Sequence, residues 1–445
     1  MIPGLAILSV LIVLYAALAL RLGNWSISMP MVFVAAGYAL GPGGANLLVI
    51  SPGAEEAKGL TEITLALLLF GDASTLNPRQ VREDAKLPLR LLTIGLLLTI
   101  ALGTAVGLVL LPGEGLAFAA LLGAILAPTD AALGLPIFSN SSIPVRIRRA
   151  LNVESGLNDG IATPFVTLFL AYAVATEELI QGQGAWLLDT LLQIALAILA
   201  GVVVGVLGGW LLKLTTRRGW TSEGSEQLAI LGLGLVAYLG AVALHGNGFV
   251  AAFIGGIVFG RATRSQFTEP TEFTETFSTI LSLLVWTMFG AVLVTAVLRH
   301  ASDWHVIAYA VLSLTLVRML PVALALVGVG LRLETVALMG WFGPRGLASV
   351  VFTLLAFEQL EASSRAVETL VAVATWTILL SVLAHGLSAQ PLSAWYARRL
   401  TADGGKSAEL VEFSELRKRH AVLSGQPRDS NGGDHDHTDD ANSQG

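Results

Sequence analysis

Long apolar stretches separated by short polar or basic connections dominate the chain, and the stretches have membrane length. A helix of about 17–25 apolar residues crosses the hydrocarbon core of a bilayer. Allowing for short and Pro/Gly-interrupted segments, thirteen are predicted, at 3–20, 26–41, 60–77, 88–111, 115–138, 152–176, 186–212, 226–245, 248–261, 276–298, 304–329, 333–357 and 366–390. The first has neither a basic leader nor a small-residue cleavage site, so it is expected to remain as a helix rather than be removed as a signal peptide.

Charge in the connections orients these segments. With helices alternating in direction, one set of loops carries sixteen basic residues, including Arg79, Arg82, Lys86 and Arg90, then Arg146, Arg148 and Arg149, then Lys213, Arg217 and Arg218. The opposite set carries three, Lys58, Arg299 and Arg365. Basic loops remain cytoplasmic, so the N-terminus is expected outside and the C-terminus inside, as an odd number of helices requires. Near residue 401 the composition turns polar and acidic, ending in "GGDHDHTDDANSQG". The chain is therefore divided into a transmembrane unit, 1–395, and a cytoplasmic, largely disordered tail, 396–445, with too little apolar surface to fold. His435 and His437 are read as solvated side chains of that tail rather than as metal ligands.

Composition agrees with an all-α polytopic membrane protein. Of 445 residues 54% are hydrophobic and 13% charged, with a mean hydropathy of +0.73. Soluble domains carry about 25% charged residues, so this chain has too few to clothe an ordinary water-facing surface. The absence of cysteine excludes disulfides and thiolate metal sites.

Four acids interrupt the apolar segments: Asp72, Asp130, Glu154 and Asp159, against two arginines, Arg318 and Arg345. A charge at mid-membrane costs about 2.5–3.5 kcal/mol on insertion scales, and such residues face an interior cavity, pair with one another and mark ion or proton pathways. The deficit of two positive charges leaves room for protons or a bound cation. In "LNVESGLNDG" (151–160), helical spacing puts Ser155 and Asp159 on one face and Glu154 and Asn158 on the next. The first face offers two hard oxygen ligands to a small cation, although Ser155 and Asn158 could equally hydrogen-bond between helices. In "LGAILAPTDAALGLP" (122–136), Pro128 breaks the helix just before Thr129 and Asp130. Half-helix ends at mid-depth present carbonyls and dipole ends to ions. Thr129 could offer a carbonyl and a hydroxyl; Asp130 could contact an ion or neutralise amides at a half-helix N-terminus. "MGWFGPRGLASVV" (339–351) repeats the interruption around Arg345. Arg345 requires a carboxylate, and Glu154 is the expected partner. Spacing names no partner for Arg318, and Asp72 is placed near the cytoplasmic end of its helix.

At these residues the sequence resembles the sodium/proton antiporters of the NhaP and eukaryotic sodium/hydrogen-exchanger type. The matching pieces are Thr129-Asp130 after a proline, Glu154-Ser155-x-x-Asn158-Asp159, Phe342-Gly343-x-Arg345-Gly346, and His385-Gly386-Leu387 in the last helix. The resemblance covers most of 1–395. It implies thirteen helices in two inverted repeats, crossed discontinuous helices (the fifth and twelfth), core and dimerisation domains, a homodimer in the cell (inner) membrane, and alternating access. Carried over, Asp159 takes either a proton or Na+, with Ser155, Thr129 and Asp130 completing or supporting the site. Asn158, Glu154, Arg345, Arg318 and Asp72 are supporting residues, with Glu154 pairing Arg345. The Asn-Asp form is associated with electroneutral exchange. No cofactor and no nucleic acid are expected; the partners are monovalent cations, protons and the lipid bilayer.

An intramembrane aspartyl protease would need two close aspartates free of a nearby arginine, and no Gly-x-Gly-Asp run is present. A channel would need a continuous pore. Potassium in place of sodium is the principal alternative within the exchanger reading.

Overall fold

The structure, a computed structural model, describes residues 2–48, 55–75, 86–130, 133, 134, 137, 140, 142–177, 185–263, 266–299, 303–360, 365–402 and 409. It is all-helical, with no strand among the described residues. A bilayer has no water to satisfy a free backbone amide or carbonyl, so helices are the natural form for these apolar segments. The helices are α1 (Ile2–Asn24), α2 (Met29–Leu40), α3 (Glu55–Ser74), α4 (Lys86–Leu110, with a π turn at Leu91–Gly95) and α5 (Gly115–Ile125). They continue as α6 (Val145–Glu177), α7 (Ala185–Arg217), α8 (Glu223–Ala243), α9 (Gly248–Thr263) and α10 (Thr268–Phe289), which passes through a π turn, Gly290–Val294, into Thr295–Arg299. The last five are α11 (Trp304–Leu314), α12 (Leu316–Ala325), α13 (Leu333–Trp341), α14 (Leu347–Gln359) and α15 (Arg365–Ala402). Eight helical stretches among the described residues are long and apolar enough to cross a membrane, and α2, α5, α9 and α14 are shorter apolar helices.

Lipid-facing and interior helices separate by what they expose. α1 leaves Val10, Val13 and Leu14 outside, and α7 does the same with Leu188, Leu199 and Trp210. The largest buried cluster joins Leu65 and Phe70 of α3, Leu121 and Ile125 of α5, Ala162 of α6, Phe253 of α9 and Phe352 of α14. Helices in lipid gain little from the hydrophobic effect against one another and associate through close packing of small residues. α9 shows this on two sides. Gly256 and Gly260 lie against the carbonyls of Phe70 and Ser74 in α3, where an added Cβ would overlap the backbone. Gly201 and Gly205 of α7 meet the carbonyls of Ala251 and Gly255, at 2.6 and 2.7 Å from where a Cβ would stand.

Several boundaries depart from expectation. The segment expected at 304–329 is broken at Thr315 (φ −108°, ψ −91°), which separates α11 from α12. The last helix runs beyond 390, through Pro391, to Ala402. Its extension is held because Tyr396 and Leu400 bury themselves beside Leu338 and Ile143. Of the tail beyond Ala402 only Glu409 is described; His435 and His437 lie outside the described residues. Glu409 is buried and accepts hydrogen bonds from the Arg332 amide and the Thr335 hydroxyl, 2.9 Å each.

The α3–α9 seam predicts that Gly256→Val lowers stability by about 1–3 kcal/mol, the usual cost of overpacking. A thermal melt of the detergent-solubilised protein checks this, and an unchanged Tm would show that the seam yields freely.

Candidate functional site

The site forms where the two interrupted segments meet. After α5 the chain leaves the helix through Pro128, Thr129 and Asp130, and between α13 and α14 it is non-helical through residues 342–346. Helix ends leave carbonyls or amides without intrahelical partners. Here each break supplies the groups the other lacks. The Asp130 amide donates to the Pro344 carbonyl (2.8 Å). Asp130 Oδ2 accepts from the Leu347 amide (2.9 Å) at the start of α14, and Oδ1 accepts from the Leu133 amide (3.2 Å). In return Arg345 Nη1 donates to the carbonyls of Ala127 (2.7 Å) and Pro128 (3.2 Å), just past the C-terminus of α5, and the Ser349 hydroxyl donates to the Ile125 carbonyl (2.7 Å). A carboxylate thus sits at a helix N-terminus and a guanidinium at a helix C-terminus, each matched to the sign of the dipole end. Gly346 permits this contact, because a Cβ there would overlap the Asp130 carboxylate.

Arg345 is fully buried, and its Nη2 reaches the Ser313 carbonyl (3.3 Å), at the end of α11. The expected pairing of Glu154 with Arg345 is not what forms. Glu154 Oε1 accepts instead from Arg318 Nη1 at 2.6 Å, with both side chains buried. Two local features explain the exchange of partners. The break at Thr315 directs the first turn of α12, which bears Arg318, at α6, while Arg345 is committed to carbonyls freed by the Pro128 interruption. Gly343 makes room for the Arg318 side chain, where any Cβ would overlap its guanidinium.

α6 presents the remaining polar groups to the break. Asn158 Nδ2 donates to Thr129 Oγ1 (2.5 Å), and Thr129 Oγ1 lies 3.2 Å from Ser155 Oγ. Thr129, Ser155 and Asn158 are buried, and Asp159 is half-buried with its Oδ1 enclosed and without a hydrogen-bond partner. The Asn158 Oδ1 atom is likewise enclosed and unpartnered. Thr163 donates to the Asp159 carbonyl one turn further on (2.8 Å), so that contact leaves the carboxylate available. Among the described residues no cation lies within ion-pair distance of Asp159; the charged groups acting on it are the carboxylates of Asp130 and Asp72. Asp72 is half-buried near the end of α3. The structure therefore brings Thr129, Ser155 and Asn158 together, with Asp159 one turn along α6 from Ser155 and the Asp130 and Asp72 carboxylates acting on it. It sets Glu154, Arg318 and Arg345 apart as a framework of fixed charge. Sequence reasoning missed Ser313, Ser349 and Ser381, whose polar groups hold Arg345 and the start of α14 in place. A serine in an apolar run carries little signal of its own.

The hard oxygens of Thr129, Ser155 and Asp159 suit a small monovalent cation, whose ligands are carbonyl, hydroxyl and carboxylate oxygens, and a lone carboxylate suits a proton equally. A membrane-length helical bundle with two helices broken face to face beside such a carboxylate has the architecture of a secondary transporter.

The sodium/hydrogen exchanger transmembrane family model matches residues 7–395. The chain belongs to the sodium/hydrogen exchanger family. A K(+)/H(+) antiporter NhaP2 of Shewanella sp. (strain ANA-3) is 26% identical over 299 residues, which are 67% of this chain and 49% of that protein. A Na(+)/H(+) antiporter of Schizosaccharomyces pombe is 25% identical over 277 residues, 57% of this chain and 58% of that one. The chain spans about half the length of the NhaP2 relatives it matches. The sodium proton antiporter MjNhaP1 from Methanocaldococcus jannaschii superposes with a TM-score of 0.69 at 22% identity, covering 89% of this chain and 99% of that one, and shares the fold.

Breaking a buried ion pair by removing one partner costs about 3–5 kcal/mol, because the other charge is stranded. Glu154→Gln and Arg318→Met are each expected to lose stability on that scale, and the double variant less than the sum of the two. Thermal melts of all three, with the wild type, complete the cycle; additive losses would show that the pair is not coupled.

Proposed function

We propose that the protein is a monovalent cation/proton antiporter in which cation and proton compete for Asp159. The observation that carries this reading is the enclosed, unpartnered Asp159 Oδ1, one helical turn along α6 from Ser155, whose hydroxyl lies 3.2 Å from that of Thr129. The other strong charges at the break are already committed, Glu154 to Arg318, Arg345 to carbonyls and Asp130 to amides. A lone carboxylate in a poorly solvated place demands neutralisation, and a mobile proton or cation supplies it. One titrating carboxylate next to an uncharged Asn158 holds one proton or one monovalent ion, which favours electroneutral one-for-one exchange.

The rest of the reading follows the family. Thirteen passes would form two inverted repeats, with α5 and the α13–α14 pair as the crossed, discontinuous members. A homodimer would hold the scaffold while the core carrying the ion moves. The N-terminus would lie outside the cell membrane and the C-terminus in the cytoplasm, with the tail beginning beyond the end of α15 at Ala402 rather than at residue 396. A recess of about 430 Å³, lined in part by Glu62, Thr163, Thr167, Asp189 and Asn247, reaches within one turn of Asp159 and supports access from one side. Sodium is the preferred cation on the sequence resemblance; potassium is the second reading, favoured by the NhaP2 relative. Both use the same ligands.

The test uses purified protein in liposomes with an internal pH dye, given outside pulses of sodium, lithium or potassium with the membrane potential clamped and free. Cation-driven proton movement that ignores the clamp is expected, and Asp159→Asn should abolish it while the variant still elutes as a folded protein. Exchange that survives in Asp159→Asn would overturn the assignment. Acidifying the cation side should raise the apparent KM for the cation and leave the maximal rate intact; a fall in maximal rate at constant KM would exclude simple competition.

A further inference from the structure

The break between α13 and α14 is bridged by five residues that carry Arg345, and something must hold its two ends at a constant separation. Both are gripped by one face of α15. Ser381 and His385 are four residues apart, share that face, and are buried at 0% and 1% exposure. At the near end, His385 Nε2 lies 2.8 Å from the Trp341 carbonyl, the last residue of α13. At the far end the Arg345 amide donates to Ser381 Oγ (2.7 Å). His385 Nδ1 joins the two, 3.1 Å from Ser381 Oγ and 2.9 Å from the Ser381 carbonyl. A tilted ring contact adds to the grip: the Trp341 and His385 rings are 5.0 Å apart at 33°, and the Trp341 indole donates to Ser388 Oγ (2.9 Å) on the same helix.

Nε2 faces the Trp341 carbonyl at 2.8 Å, and Nδ1 faces the Ser381 carbonyl at 2.9 Å and the Ser381 hydroxyl at 3.1 Å. In either neutral tautomer the ring therefore donates to one of the two carbonyls, while Ser381 Oγ accepts the Arg345 amide. Nothing in the antiport reading uses His385 directly, yet the residue it steadies holds the Ala127 and Pro128 carbonyls, immediately before Thr129.

We propose that His385, acting through Ser381 and Trp341, is a positioning residue that sets the register of Arg345 and thereby the geometry of the oxygens around Asp159. This rests on the antiport reading. Outer-shell partners of ion ligands typically change affinity by about 10–100-fold when removed. His385→Ala is therefore expected to raise the apparent KM for the transported cation about tenfold with the maximal rate retained. Because proton and cation compete, a tenfold loss of cation affinity moves the half-inhibiting pH upward by about one unit at saturating cation. His385→Gln, which keeps an N–H within reach of Trp341, should restore a KM near that of the wild type. Ser381→Ala should resemble His385→Ala, and the double variant should be no worse than either, as members of one network.

The measurements are liposome exchange across pH, and thermal stabilisation of each purified variant by sodium and by potassium chloride, which reads affinity without transport. A His385→Ala protein with wild-type KM, pH profile and cation-induced Tm shift would overturn the proposal, even if the yield of folded protein fell. So would a His385→Gln protein as impaired as the alanine variant. Wild-type protein stabilised by cation but inert in exchange would overturn the antiport reading alone, leaving the Tm shifts to decide the role of His385.

Discussion

Two broken helices that complete each other support the whole interior. In a bilayer a broken helix exposes amides and carbonyls that water cannot reach, so a break survives only where protein supplies partners. The α5 break receives Arg345 at its carbonyls, and the α13–α14 break receives Asp130 at its amides. Each interruption is thus the other's solvent. Arginine carries its charge under all relevant conditions and spreads several donors over a plane, so one side chain can serve carbonyls from two segments, as Arg345 does with Ala127, Pro128 and Ser313. A single ammonium would reach fewer of them.

From that contact follows the distribution of charge. Glu154 and Arg318 neutralise each other, and Arg345 and Asp130 answer helix dipoles. Asp159, on the same helix as Glu154, has no fixed cation among the described residues, and its neighbours are carboxylates. Exchange, on the proposed reading, uses this asymmetry: fixed pairs make the cavity rigid, and one unmatched oxygen makes it responsive. Adjacent positions on α6 differ in function because helical geometry turns each to a different neighbour.

Packing around the site serves the same end. Bare glycines let α3 and α7 approach α9 backbone to backbone, and Gly160 of α6 lies against the Phe253 ring of α9. α15 does the complementary work, holding the gap after α13 through Ser381, His385 and Ser388. The outward faces of α1 and α7 carry leucine, valine and tryptophan instead, and contribute no polar contact to the site.

Much of this was legible in the chain itself, because membrane length, helix breaking and intramembrane charge are local properties. The apolar segments, the interruptions at Pro128 and Gly343–Pro344, and the shared faces of Ser155 with Asp159 and of Glu154 with Asn158 follow from residue type and spacing, whereas joining Thr129 to them came from the family resemblance. The dual possibility for Asp130 was visible too, although only the contacts with Leu133 and Leu347 show it holding amides. Partner choice was not legible. Glu154 had two arginines within plausible reach, and the break at Thr315, which no proline or glycine announces, decided for Arg318. The serines of α15 were likewise silent, and His385 stood out only as part of a family motif with no role attached, since their importance lies in what stands opposite them. Composition and spacing determined that this chain would bury charges in broken helices; only the tertiary structure decided which charge met which. A buried group accepts any partner of the right sign, and helix placement alone determines which one is near.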